Sequence, residues 1–150
     1  MLAGLIPTLE SRLGAERIVE ECEELRLEQL RLLDHTAREY PGMIANYIGE
    51  VSCVMMQVLQ DPFVAIRMLA NELFQFLVEK FPFIIHQYAE GLVIPLTIST
   101  NHQQSKVRAV TVTSIGRLLK IAAPELLRKN FSTLVMGLTF PFSVCLEAYL

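Results

Sequence analysis

Residues 61–82 read DPFVAIRMLANELFQFLVEKFP. The stretch opens on Asp61-Pro62, sets a single arginine, Arg67, at the root, and then runs apolar to Pro82. Ile66, Leu73, Phe74, Leu77 and Phe81 fall at helical spacing and mark one buried face of a helix. A lone cation at the base of such a helix needs a physical reason. It emerges when the sequence is slid along itself, the first operation for a chain of this length.

A shift of 41 residues places Arg67 on Arg26 in one direction and on Arg108 in the other. Backward, Pro82 falls on Pro41 and Asp61 on Glu20; forward, Pro82 falls on Ala123, one residue short of Pro124. The apolar register travels with them. Ile66 matches Leu25 and Val107; Leu73 matches Leu32 and Ser114; Phe74 matches Leu33 and Ile115. Between these segments Ile44 aligns with Ile85, Tyr47 with Tyr88, Val51 with Leu92 and Met55 with Leu96. The chain is therefore expected to be all-α, a solenoid of three to four HEAT-like helical pairs, because a two-helix unit of about 40–47 residues belongs to the HEAT and armadillo class.

The spacing predicts first helices over about 43–60, 84–99 and 125–138, and second helices over about 17–39, 62–80 and 104–122. A segment over about 2–12 supplies the first helix of the opening pair. Residues 1–150 are read as a single array, with 139–150 a truncated or aberrant tail. Pro41-Gly42, Pro82 and Pro124 break the chain where pairs meet. Asp61 is expected as an N-cap with Pro62 at the first helical position. Stacked pairs bring equivalent positions into line. Arg26, Arg67 and Arg108 are thus expected to form a structural ladder, each reaching the acid or carbonyls of the turn before it, with Asp61 serving Arg67 or a neighbouring repeat's arginine.

Asp61-Pro-Phe-Val-x-Ile-Arg67, with a helix closing at Pro82, resembles the HEAT-repeat signature, as does Lys106-Val-Arg108. Within that class, VMMQVLQDPFVAIR and PLTISTNHQQSKVRAVTVTSIGRLL are similar to the HEAT-repeat dynein axonemal assembly factors. The resemblance implies a cytoplasmic scaffold that helps preassemble dynein arms for motile cilia. It implies no catalytic residue. The chain departs from that family in its short length and in TFPFSVCLEAYL, where Phe140 stands in place of the acid and Leu146 in place of the arginine.

Composition agrees with a packed helical chain. Apolar residues make up 52% and charged residues 19%, enough for a sizeable core. A net charge of −3 argues against a nucleic-acid module and against an anionic membrane surface. Residues 91–105 and 130–146 carry no charge, yet the first is short and the second, broken by Gly137 and Pro141, reads as a buried helix rather than a span. The opening MLAGLIPTLESRLG lacks the basic region of a signal peptide. Cys22, Cys53 and Cys145 are too few and too scattered for a disulfide or zinc framework, and are expected as buried or half-buried thiols in a reducing compartment.

Candidate chemistry is sparse. His35, His86 and His102 lie in three different repeats, so helical spacing gathers no nucleophile, base or metal set. Six glutamates between Glu16 and Glu28 interleave with Arg17 and Arg26 and read as a solvated helix face rather than an acidic docking strip. Met55, Met56, Phe74, Phe81 and Phe83 read as core, with Phe76 off that face as a contact residue. Gly91 and Gly116 read as sites of close helix packing. Lys106, Arg117 and Lys120 are the residues expected to face a partner.

The sequence thus predicts no enzyme, no cofactor and no metal. It predicts a protein-interaction scaffold with protein clients, dynein chains and other assembly factors among them, no nucleic acid, no membrane, and self-association through exposed solenoid ends. The alternative is another HEAT adaptor of microtubule-binding, nuclear-transport or phosphatase-scaffold type. The absence of Trp weighs against the first of these.

Overall fold

The structure is a computed structural model that describes the backbone of residues 2–147 and the side chains of residues 4–139. Its helices in chain order are α1 (Leu2–Leu13), α2 (Glu23–Glu39), α3 (Pro41–Ile44), α4 (Ile48–Val58), α5 (Val64–Lys80), α6 (Pro82–Ile85), α7 (Ala89–Ser99), α8 (Ser105–Ile121), α9 (Pro124–Lys129) and α10 (Phe131–Glu147). Single 3₁₀ turns, Ala45–Tyr47 and His86–Tyr88, join α3 to α4 and α6 to α7. The described residues contain no strand.

The helices form two layers. α1, α4, α7 and α10 lie side by side in one; α2, α5 and α8 lie side by side in the other. Each member of the first layer up to α7 also packs on the following member of the second. The arrangement is an all-α repeat solenoid. α2, α5 and α8 are each 17 residues long, and each starts 41 residues after the one before.

Local chemistry explains the breaks. A residue before proline is disfavoured in helical geometry, and α2 and α5 end at such residues, Tyr40 and Phe81. Both take the same corner conformation, φ −128° and ψ 53° at Tyr40, φ −130° and ψ 48° at Phe81. Their N–H groups complete the last turn on Thr36 and Leu77, while their carbonyls start the next by accepting from Met43 and Ile44, and from Ile84 and Ile85. At the third corner two residues, Ala122 and Ala123, run extended before Pro124.

The core fills the space between the layers. Leu30, Leu33, Ile66, Leu73, Phe74, Leu77, Ile115 and Leu118 of the second layer meet Leu9, Val51, Met55, Leu92 and Leu96 of the first. Burial of these side chains supplies most of the stabilisation, at roughly 1.5–3 kcal/mol for each large one.

Several expectations need correction. The second helix of the opening pair begins at Glu23, not near residue 17, because Arg26 draws the carbonyls of Glu20 and Glu21 into its own bonds. The first helices are not continuous from 43 and 84: they break at Tyr47 and Tyr88, where φ is −121° and −103°. Asp61 does not cap α5, whose N-cap is Phe63; it caps the turn instead. Phe83 is not core but 88% exposed, on the outside of the corner. Cys22 and Cys53 are exposed, and Cys145 lies outside the residues whose side chains are described. The helical backbone of α10 continues to Glu147; the side chains of the tail from Phe140 onward, and residues 148–150 altogether, lie outside the described residues.

Candidate interaction surface

Three turns precede the three arginines, and all are built alike. A side-chain acceptor two residues upstream takes a backbone N–H: Glu20 Oε1 from Cys22 at 3.2 Å, Asp61 Oδ1 from Phe63 at 2.8 Å, and His102 Nδ1 from Gln104 at 3.1 Å. These residues are successive members of the 41-residue period, so one geometry is met by three chemistries.

Each arginine then folds back onto its own turn. Arg26 Nη1 donates to the carbonyls of Glu20 and Glu21 at 2.8 and 3.1 Å. Arg108 Nη1 donates to those of His102 and Gln103 at 2.9 and 2.8 Å. Arg67 donates through Nε to the Asp61 carbonyl and through Nη2 to that of Gln60, the latter at 3.1 Å.

Contacts to the next repeat differ. Arg26 grips the Asp61 carboxylate with two bonds, Nε to Oδ2 at 3.0 Å and Nη2 to Oδ1 at 3.1 Å. Both side chains are buried, 6% and 7% exposed, and the carboxylate holds the Arg26 guanidinium above its ordinary pKa. Arg67 finds no carboxylate across the next junction; His102 occupies the matching position, and Arg67 reaches Ser99 Oγ at 3.4 Å. Burial lowers the Arg67 pKa, opposed by the charge of Asp61. His102 is lowered too, by burial first and then by the field of Arg67, with Arg108 adding to it.

The second-layer helices meet through a polar seam that sequence reasoning missed. Gln75 Nε2 donates to Ser114 Oγ at 3.1 Å and to the Val110 carbonyl at 3.3 Å. Arg117 Nη1 donates to the Gln75 carbonyl at 3.3 Å and to Glu79 at 2.7 Å. Glu79 lies one period after Arg38 and one before Lys120, so charge sign alternates along that row. The same shift that aligned the arginines carries this signal. Arg38 is held by Asp34, which raises its pKa, and stacks on the Phe76 ring 4.9 Å from its centroid.

Of the three residues expected to face a partner, Lys106 and Lys120 are exposed and make no ion pair among the described residues, whereas Arg117 is engaged by α5. Lys120 borders a hollow of about 430 Å³ with Val78, Glu79, Pro82, Arg117 and Ile121. Gly91 is a site of close packing: a Cβ there would run into the end of the Met56 side chain. Gly116 is not, since nothing lies within 4 Å of a Cβ there.

Among the described residues no three His, Cys, Asp or Glu side chains gather where they could hold a metal ion. No helix among them is long and apolar enough to cross a membrane. The geometry is that of repeated helical faces whose second helices follow turns of one construction.

The family described as dynein axonemal assembly factor 5-like, TPR repeats, matches residues 1–139. The chain belongs to that family. It is 30% identical over 122 residues to dynein axonemal assembly factor 5 of Xenopus laevis, covering 81% of this chain and 14% of the relative. The mouse protein of the same name is 31% identical over 127 residues, 81% of this chain and 15% of the relative. The human one is 30% identical over 122 residues, 79% and 14%. The chain thus spans about a seventh of the length of these curated relatives. No solved structure matches it. The family description speaks of TPR repeats; the 41-residue step observed here exceeds the roughly 34 residues of a TPR unit and falls in the range of about 40–47 typical of HEAT and armadillo units.

Proposed function

We propose that the chain is a non-enzymatic interaction scaffold that serves the cytoplasmic preassembly of axonemal dynein arms for motile cilia. The observation that carries this reading is the family match over residues 1–139, joined to relatives that bear the name dynein axonemal assembly factor 5. A two-layer solenoid suits the task, because it offers long helical faces to protein clients instead of a single closed pocket. In this reading residues 1–150 act as one array. Arg26, Asp61, Arg67 and Arg108 set the register of its repeats, and Lys106 and Lys120, with Arg117 beside them, face the client. The clients are dynein chains and other assembly factors, and neither nucleic acid nor membrane takes part.

Proximity labelling with the tagged chain in cells building motile cilia tests the proposal. Dynein heavy or intermediate chains should be enriched in the cytoplasm before arms reach the axoneme. Enrichment of nuclear-transport cargo, tubulin or phosphatase subunits instead would replace the reading with that of a different adaptor.

A further inference from the structure

The hollow at the C-terminal ends of α5 and α8 measures about 430 Å³ and is lined by Val78, Glu79 and Pro82 on one side and by Arg117, Lys120 and Ile121 on the other. All of its walls are internal to the array, from α5, the corner at Pro82, and α8. Its openness does not come from the lack of a further helix. Glu79 holds on α5 the place that Lys120 holds on α8, and it is 74% exposed although α8 lies beside it. Charge decides what such a hollow attracts. Acids outnumber lysine and arginine along α2, the two balance on α5, and α8 carries Lys106, Arg108, Arg117 and Lys120 with no acid. Around the hollow this cationic excess is open. Lys120 Nζ meets no acceptor among the described residues, and Arg117 commits only Nη1, to the Gln75 carbonyl and to Glu79.

The preceding junction supplies a second clue. One period before Glu79 and Arg117 stand Arg38 and Phe76, and there the Arg38 guanidinium lies over the Phe76 ring, 4.9 Å from its centroid. The junction of α2 with α5 thus carries its own ring beneath a cation. At the junction of α5 with α8 none of the six lining side chains is aromatic: the cations are in place over Val78, Pro82 and Ile121, and the chain provides no ring.

We propose that this hollow receives a short acidic segment of a protein partner, an aromatic side chain flanked by carboxylates. The ring lies on Val78, Pro82 and Ile121 beneath Arg117, as Phe76 lies beneath Arg38, and a neighbouring carboxylate pairs with Lys120. Complementary charge steers the segment to α8 and away from the acidic α2. This names the client chemistry of the face to which the scaffold reading assigns Lys120, and it rests on that reading only in needing a protein client. The test below reads the hollow alone. Its failure leaves the dynein assignment standing, and a different client found by proximity labelling leaves the preference of the hollow standing.

The probe is a fluorescein-labelled peptide in which one Phe stands between two Asp-Glu pairs. Fluorescence anisotropy with the full chain should report saturable one-to-one binding. Lys120→Glu should weaken it about tenfold or more, whereas Glu79→Gln, which removes the acid competing for Arg117, should tighten it about threefold. Arg31→Glu makes the same change of charge as Lys120→Glu, but on α2, and should leave binding within about twofold at physiological salt. Replacing the Phe of the peptide by Ala should cost about threefold or more. The altered side chains are on the outer surface, so circular dichroism should show unchanged helix content. Four outcomes overturn the proposal: no saturable binding, equal losses from Arg31→Glu and Lys120→Glu, equal affinity for the peptide without its ring, or light scattering in which a second copy of the chain excludes the peptide.

Discussion

At the residue scale, the Arg26–Asp61 pair is the point where one side chain joins two repeats. Its charges are out of water, so removing one partner strands the other. Asp61→Ala is expected to cost about 3 kcal/mol, read as a lower urea midpoint. Combining Arg26→Met with Asp61→Leu should recover part of that loss, though not the bond to the Phe63 N–H. His102 holds the matching place at the next junction, with Arg67 beside it and no carboxylate. His102→Asp supplies the missing charge and should stabilise the chain by about 1 kcal/mol, the scale of a partly exposed pair. An unchanged urea midpoint would count against this account of the junction. Burial and the two arginines lower the His102 pKa, so the folded chain favours the neutral ring. The unfolded chain binds the proton more readily, near the ordinary value of about 6.5. Stability from this site is therefore present above that value and declines as pH falls below it toward the folded pKa. The midpoint of wild type should drop more between about pH 7 and pH 5 than that of His102→Asn.

At the element scale, α8 differs from α5 in having a second-layer neighbour on one side only among the described residues. Gly116 sits mid-helix with nothing above it, so Gly116→Ala should gain about 1 kcal/mol from helix propensity. Gly91→Leu should lose about 1–3 kcal/mol, because the new side chain displaces Met56. Thermal melts of the two variants, moving in opposite directions, check both. The two glycines read alike in the sequence; which one is covered depends on where the array has a neighbour, and no local pattern carries that. The helix positions and the arginine period were legible, since apolar spacing and proline chemistry are local. The breaks at Tyr47 and Tyr88 were not, because the apolar period passes through a single 3₁₀ turn with little disturbance. The late start of α2 was hidden as well: Glu20 and Glu21 suit a helix, yet Arg26 holds their carbonyls elsewhere. The turn caps escaped notice because Glu, Asp and His look unrelated until the structure gives them the same bond.

At the scale of the whole molecule, the opening end exposes what the middle buries. Leu25 and Leu32 are 46% and 45% exposed, while their equivalents Ile66 and Leu73 in α5 are fully buried. Such an apolar end favours association. Light scattering of the concentrated chain should report assemblies larger than a monomer, and Leu25→Glu with Leu32→Glu should reduce them; monomers at every concentration would remove the self-association proposal. The third corner has a different consequence. Where Tyr40 and Phe81 each turn the chain alone, Ala122 and Ala123 share the task, so α10 begins 42 residues after α7 whereas α7 begins 41 after α4. The extra residue is taken up in the corner itself, so the constant 41-residue shift that lays α4 on α7 misses α10 by one position, and a mutation transferred between those helices must carry that offset.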